Sequence, residues 1–480
     1  MHRLKILAGG LTLALLLVAG AASAAVNTGT ASFTRYVAFG DSLTAGYSSN
    51  ALTRTYQFNS YPALINLQAT GTRTGFEQPL VSDPGISGLA ACRGTNPPAP
   101  CGILQLVRLV PSTIIAPTPG QGQPLNLTLP RPYNNMAVPG ATVHDLVFTK
   151  TGGFHDLILR NQPGAPQAFS QLQEGVSLTP TFATLWIGNN DVLGAATSGI
   201  AIEGVTLTPV ASFEADYRAA VNAITATGAK MAIANIPDVT AIPFVTTIPR
   251  LIINPQTSQP VIGPNGQPVA LIGPNGPLQA GDFVLLTASS DIAAGRGVPV
   301  GIGNGTGQPL SDQQVLSAAE AARIKDYVTA YNNIIRTVAG EKGAAFVDAN
   351  ALLNDIAAHG LRIGGMSYTS SFLTGGIFSY DGVHPTAFGY AFIANRFIDA
   401  INAKFGGDIP PVDLYPFIFG PLPKHATTAA TAPLVEDGAM IDFVITNDAR
   451  RGLLQMLGVP QWIVDGTPAP RPRRPRGNRG

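Results

Sequence analysis

Tyr36-Val37-Ala38-Phe39-Gly40-Asp41-Ser42-Leu43-Thr44 is the stretch on which the reading of the chain turns. Residues 36–39 are a short apolar run that breaks at a glycine. That is the mark of a strand buried on both faces, as in a parallel sheet. Gly40 permits a sharp turn, and the turn carries Asp41 and Ser42. A serine on a strand-to-helix turn holds its hydroxyl clear, with a backbone N–H facing whatever carbonyl it attacks. Alone, the tetrapeptide from Gly40 to Leu43 equally describes a serine capping a helix. Ser42 as a nucleophile therefore needs partners elsewhere in the chain.

Outward from this stretch the pattern repeats. Residues 182–187, 231–236 and 345–347 are further apolar runs, ending at Gly188, Pro237 and Asp348. Helical patterns lie between them. One is expected to open at Ser212, with Glu214 and Asp216 in its first turn. It would bury Phe213, Tyr217, Ala220, Val221 and Ile224 and stop near Gly228. Ser311 and Gln314 read as the capping box of the next, whose face is Ile324, Tyr327, Val328, Tyr331 and Ile335. The last has Ala394, Phe397, Ile398 and Ile401 on one side and ends at Gly406 and Gly407. Strands alternating with helices predict an α/β sandwich around a parallel sheet. Two Gly/Pro-rich insertions, near 71–132 and 243–308, interrupt the alternation. The second holds Ile262-Gly-Pro-Asn-Gly266 and, ten residues on, Ile272-Gly-Pro-Asn-Gly276, expected to form hairpins or a flap.

The partners of Ser42 are sought at polar strand ends. Asp381-Gly382-Val383-His384-Pro385 precedes the last helix, and Pro385 suits a helix start. A histidine base needs a carboxylate to hold its tautomer and stabilise the imidazolium, and one loop here supplies both. Among six histidines none of the others has this setting. His144, beside Asp145, is the second choice as base, while His155, His359 and His425 read as surface residues. Oxyanion donors are expected from two turns: Asn190, in Gly188-Asn189-Asn190-Asp191, and Gly140, at the end of residues 135–140. No cofactor or metal is called for, since no group of His, Asp and Glu has ligand spacing.

Taken together and in this order, residues 39–44, 135–140, 188–191 and 381–384 resemble the four sequence blocks of the GDSL or SGNH hydrolases, a family of serine esterases and lipases. The four letters correspond to Ser42, Gly140, Asn190 and His384. The resemblance spans about residues 33–406 and implies a flavodoxin-like three-layer α/β/α sandwich. It also implies Ser42 as nucleophile, His384 as base and Asp381 as its orienting acid. The implied oxyanion hole is the Ser42 and Gly140 N–H groups with the Asn190 side chain. Cleavage of acyl or aryl carboxylic esters through an acyl-serine is the expected activity. The alternatives are a carbohydrate O-acetylesterase or acyltransferase of the same family, and a non-catalytic binding protein on the same fold.

Composition agrees with an exported globular chain. Apolar residues make up 45% and charged residues 12%. Lys plus Arg number 29 against 28 Asp plus Glu, which argues against a nucleic-acid partner. Residues 1–24 have the basic start, apolar run and Ala22-Ser23-Ala24 of a secretory signal peptide, so cleavage near Ala24 and a secreted or periplasmic protein are expected. The two cysteines, Cys92 and Cys101, fit one structural disulfide in such a compartment. Residues 408–465 are expected to form an extension docked on the core, and 466–480 a disordered basic Pro/Arg/Gly tail. The expected partner is a small-molecule or lipid ester, with peripheral contact at a membrane surface, and the expected state a monomer.

Overall fold

The computed structural model describes residues 25–83, 85–86, 108–109, 122–161, 167–419, 443–444 and 447–469. The segment read as a signal peptide, both cysteines, His425 and most of the basic tail lie outside the described residues. Strand β1 (Tyr36–Gly40) runs into a one-turn helix α1 (Ser42–Ala45), followed by α2 (Tyr61–Thr70). Helices α3 (Val143–Phe148) and α4 (Gln171–Ser177) precede β2 (Phe182–Trp186). Then come α5 (Asn190–Ser198), α6 (Val210–Thr225) and β3 (Lys230–Ala234). Helix α7 (Ala318–Glu341), β4 (Ala345–Val347) and α8 (Ala387–Phe405) complete the core. Helices α9 (Asn447–Met456) and α10 (Gln461–Val464) follow.

The four strands form one parallel sheet in the order β1-β2-β3-β4. Residues 134–138 run alongside the free edge of β1. The Ala38 N–H donates to the Asn134 carbonyl at 2.8 Å, and the Met136 and Val138 N–H groups donate to the Ala38 and Gly40 carbonyls at 2.9 and 3.1 Å. With that fifth member the order is the doubly wound, flavodoxin-like one. In such a sheet every second residue serves each face. Val37, Phe39, Ala183, Leu185, Met231 and Ile233 meet the core that takes Phe213 and Tyr217 of α6 and Ile324 and Tyr331 of α7. Tyr36, Ala38, Phe182, Trp186, Ala232 and Ala234 meet the other, built on Tyr61 and Leu64 of α2 and Phe397 and Ile401 of α8. Both faces are covered, which is why the strands read as unbroken apolar runs. The rings of Tyr61 and Phe397 stack with centroids 4.5 Å apart, and burying one such side chain contributes about 1.5–3 kcal/mol.

Helix starts differ from the sequence expectations in three places. Helix α6 opens at Val210 with Pro209 at its N-cap, not at Ser212, so Glu214 and Asp216 lie beyond its first turn. The Ser311–Gln314 box exists but closes a single 3₁₀ turn, Asp312–Gln314. The long helix α7 takes a second box of the same type, Ser317 with Glu320. Pro385, read as suiting the start of α8, lies one residue before its cap, Thr386, whose hydroxyl accepts from the Gly389 N–H. The repeated Pro-Asn-Gly turns close antiparallel bridges, Ile262 to Pro268 and Ile272–Gly273 to Gly276–Pro277. The same insertion packs under the catalytic loop, where the Phe244 N–H donates to the Gly382 carbonyl at 2.9 Å.

Candidate active site

Parallel strands present their carboxyl ends on one edge, and the site is assembled there. Gly40 pairs in register with Trp186 of β2 and accepts from Val138 on its other side. Ser42, Gly140 and Asn190 each follow within two to four residues of that level. A side chain at Gly40 would sit 2.0 Å from the Thr44 hydroxyl and 2.5 Å from the Trp186 carbonyl, so glycine is required for the turn to close. Asp41, rather than Ser42, caps α1, its carboxylate accepting from the Leu43 N–H at 3.0 Å. That leaves the serine hydroxyl uncommitted to the backbone.

Ser42 Oγ lies 2.9 Å from His384 Nε2, and His384 Nδ1 lies 2.8 Å from Asp381 Oδ2. The three residues are at most 3% exposed. A carboxylate only accepts, so the Nδ1 proton faces Asp381, and Nε2 is left as the acceptor for the serine hydroxyl. Asp381 is fully enclosed by donors. Oδ2 also accepts from the Asn50 N–H at 2.8 Å. Oδ1 accepts from the Ser379 hydroxyl and the Val383 and His384 N–H groups at 3.1, 2.9 and 2.8 Å. Burial pushes this carboxyl up, but the His384 charge and these hydrogen bonds outweigh it and hold the group below its usual range. Ser49 and Asn50 adopt left-handed backbone, φ 51° and 60°, which brings the Asn50 N–H to the carboxylate and the Ser49 N–H to the Ser379 hydroxyl at 2.8 Å. The Tyr47 ring packs against the imidazole at 4.9 Å.

The oxyanion side is equally ordered. Asn190 Nδ2 donates to the Ala141 carbonyl at 2.9 Å, while its Oδ1 has no partner among the described residues. A flipped amide would set two oxygens against each other, so the orientation is fixed. The amide carries two hydrogens, and one remains for a ligand. Gly140 has φ 85°, a backbone that favours glycine, and its N–H finds no acceptor among the described residues. Asn189 donates to Asp41 Oδ2 at 2.7 Å, tying the β1 and β2 turns together. Burial raises Asp41 to about 6 despite that bond. Burial likewise raises Asp191 to about 7, although its Oδ2 accepts from the Val143 N–H at 2.9 Å.

Two histidine readings need correction. His144 faces Asp216 of α6 at 3.0 Å, not Asp145, and is 63% exposed. Asp145 is occupied in the capping box of Thr142. His155 is buried in a short helix rather than on the surface, its Nδ1 near the Gly152 carbonyl, and burial lowers it. Asn50, Ser379, Asp41 and Asn189 were not singled out by sequence. Ser379 and Asp41 lie within two residues of the triad and are the two that proximity would have flagged. Among the described residues no His, Cys, Asp and Glu side chains gather in a metal-binding group.

The sheet order and this strand-end cluster define a doubly wound α/β protein with a Ser-His-Asp constellation. The family model for GDSL-like lipase/acylhydrolase matches residues 36–397, and the chain belongs to that family. No curated protein matches it in sequence. Solved structures similar to it include an α/β hydrolase from the metagenome of Lake Arreo, at 15% identity over 78% of this chain and 97% of that one (TM-score 0.34). The extracellular lipase of Streptomyces rimosus is similar at 15% identity over 77% and 98% (TM-score 0.32). A mutant acetyl-xylooligosaccharide esterase from Geobacillus is similar at 12% identity over 80% and 99% (TM-score 0.32).

Proposed function

We propose that this hydrolase cleaves carboxylic esters through an acyl intermediate on Ser42. The observation that carries the reading is the unbroken hydrogen-bond chain from Asp381 through His384 to Ser42. His384 Nε2 takes the Ser42 proton as Oγ attacks the carbonyl carbon. The resulting oxyanion is held by the Ser42 and Gly140 N–H groups and the spare hydrogen of Asn190 Nδ2. Such donors are worth about 3 kcal/mol each in the transition state. The imidazolium returns its proton to the departing alkoxide, which leaves as the alcohol. Water, deprotonated by His384, then attacks the acyl-serine; the Ser42 oxygen leaves, takes that proton back from His384, and the carboxylic acid is released. Every proton moves between side chains and substrate, so the cycle closes on the residues present.

The substrate reading is an acyl or aryl ester of lipid type. A carbohydrate O-acetylester is favoured by one observation: the cavity beside the oxyanion donors is small, about 220 Å3, and Thr142, Thr206 and Thr208 line part of it. We further propose export, from the signal-like residues 1–24, and function as a monomer with contact at a membrane surface. Among the described residues no helix is long and apolar enough to cross a membrane. The test is hydrolysis of p-nitrophenyl esters from acetate to palmitate by wild type and Ser42→Ala. Serine-dependent turnover is expected, and its chain-length optimum chooses between the two substrate classes. Equal rates for the two proteins on every ester would refute the nucleophile.

A further inference from the structure

Beyond residue 397, where the family match ends, the chain returns to the active site. Helices α9 and α10 are anchored by Leu453, Leu454 and Ile463, each at most 1% exposed. The loop between them lies on the oxyanion side. The Met456 carbonyl stands 2.0 Å from where a Gly140 side chain would begin, so backbone packs directly on backbone there. At Gly194, one turn along α5 from Asn190, the same construction meets Val459 Cγ2 at 3.6 Å and the Leu457 carbonyl at 3.8 Å. The cavity of about 220 Å3 lies between these surfaces. Gly140, Asn190, Asp145 and Asp191 line it from the hydrolase core and Leu457 and Val459 from the extension, so it borders the oxyanion donors and not Ser42 or His384 themselves. At ~30 Å3 per water, this holds roughly seven waters' worth of liquid, which is room for a short acyl group.

We propose that the C-terminal segment is part of the substrate site: Leu457 and Val459 form the wall that limits the length of the acyl group accepted beside the oxyanion donors. This rests on the ester-hydrolase reading. The core supplies the chemistry and the extension sets selectivity, because the wall touches the cavity and none of the proton-transferring groups. A pocket wall discriminates by about ten- to 200-fold per methylene.

The test compares full-length wild type with Leu457→Ala/Val459→Ala, which deepens the cavity, and Val459→Trp, which fills it. For p-nitrophenyl acetate through decanoate, the double variant raises the decanoate-to-acetate ratio of kcat/KM at least tenfold. Val459→Trp lowers the butyrate-to-acetate ratio at least tenfold. A purely structural role would instead lower all esters in proportion, together with Tm. Binding provides a readout without turnover. In a Ser42→Ala background, titration calorimetry should show decanoate binding at least tenfold tighter when Leu457 and Val459 are also alanine. Acyl-length ratios unchanged in both variants, or equal decanoate affinity with and without the wall, overturn the proposal. Absence of serine-dependent turnover with the affinity shift intact would instead refute the esterase reading alone.

Discussion

Asp381→Asn tests the site at its most constrained atom pair. The carboxylate accepts five hydrogen bonds, three from backbone N–H groups that cannot reorient. An asparagine has one accepting oxygen and one donating NH2. Placed toward Oδ1, the NH2 opposes the Val383 and His384 N–H groups. Placed toward Oδ2, it opposes the Asn50 N–H and faces His384 Nδ1. The second placement leaves one backbone donor opposed instead of two, at about 1–3 kcal/mol for each buried donor left unpaired. It also forces Nδ1 to accept, which puts the imidazole proton on Nε2, where it opposes the Ser42 hydroxyl. The expected loss in kcat is on the order of 10⁴, the size seen when a serine triad is locked in the wrong tautomer. That is roughly 5 kcal/mol of barrier. Single-turnover acylation of p-nitrophenyl acetate should show the loss in the acylation step, with KM little changed, and a thermal melt reports the structural cost separately. A folded variant within tenfold of wild-type kcat would refute the tautomer argument.

Asn190→Ala removes the spare amide hydrogen and should lower kcat by about 10²–10³, and it also leaves the Ala141 carbonyl unpaired, which costs about 1–3 kcal/mol in a melt; unchanged turnover would remove this residue from the oxyanion hole. Gly140→Ala imposes a left-handed backbone on alanine and a contact at 2.0 Å with the Met456 carbonyl, so a Tm drop worth about 1–3 kcal/mol is expected in a melt of the full chain. Asp191, raised from 3.8 to about 7, keeps its proton in the folded state where the unfolded chain has lost it. The folded state then binds more protons between those values, and stability falls as pH rises through that window, by up to about 4 kcal/mol. Melts between pH 5 and 8 should show Asp191→Asn flattening the slope and gaining relative stability at pH 8; an unchanged slope would reject the assignment. Asp381 has the opposite sign, its stabilising share being lost only on further acidification, so it does not confound that range.

The fold was legible because its strands are buried on both faces. Two-sided burial demands unbroken apolar runs, and the runs at 36–39, 182–187, 231–236 and 345–347 contain or overlap the four strands. The fifth element, residues 134–138, hid because it pairs through loop-like backbone rich in asparagine. Asn134 and Asn135 bond the Tyr36 and Thr44 carbonyls, so their polarity serves the β1 edge rather than solvent. Local signals misled where two similar ones compete. Ser311–Gln314 and Ser317–Glu320 have the same spacing, and only the second is followed by a turn free to propagate.

Within the site, legibility divides by reach. Ser42, Asp381 and His384 could be picked out because each sits in a short stretch whose neighbours explain it. Asn50 could not, since its contribution is a backbone N–H delivered 331 residues away in sequence by a left-handed turn. The same division separates the extension from the core. Leu457 and Val459 are ordinary apolar residues in a short connection between two helices, and nothing local distinguishes a wall from a core contact. What distinguishes them is where they lie: beside Gly194, with Leu457 one residue on from Met456, whose carbonyl packs on Gly140 where a side chain would block it. A side chain at Gly140 would hold the segment away, while one at Gly194 would begin at ordinary contact distance from it. The contact between Gly140 and Met456 thus joins the core to a segment beyond residue 397, where the family match ends.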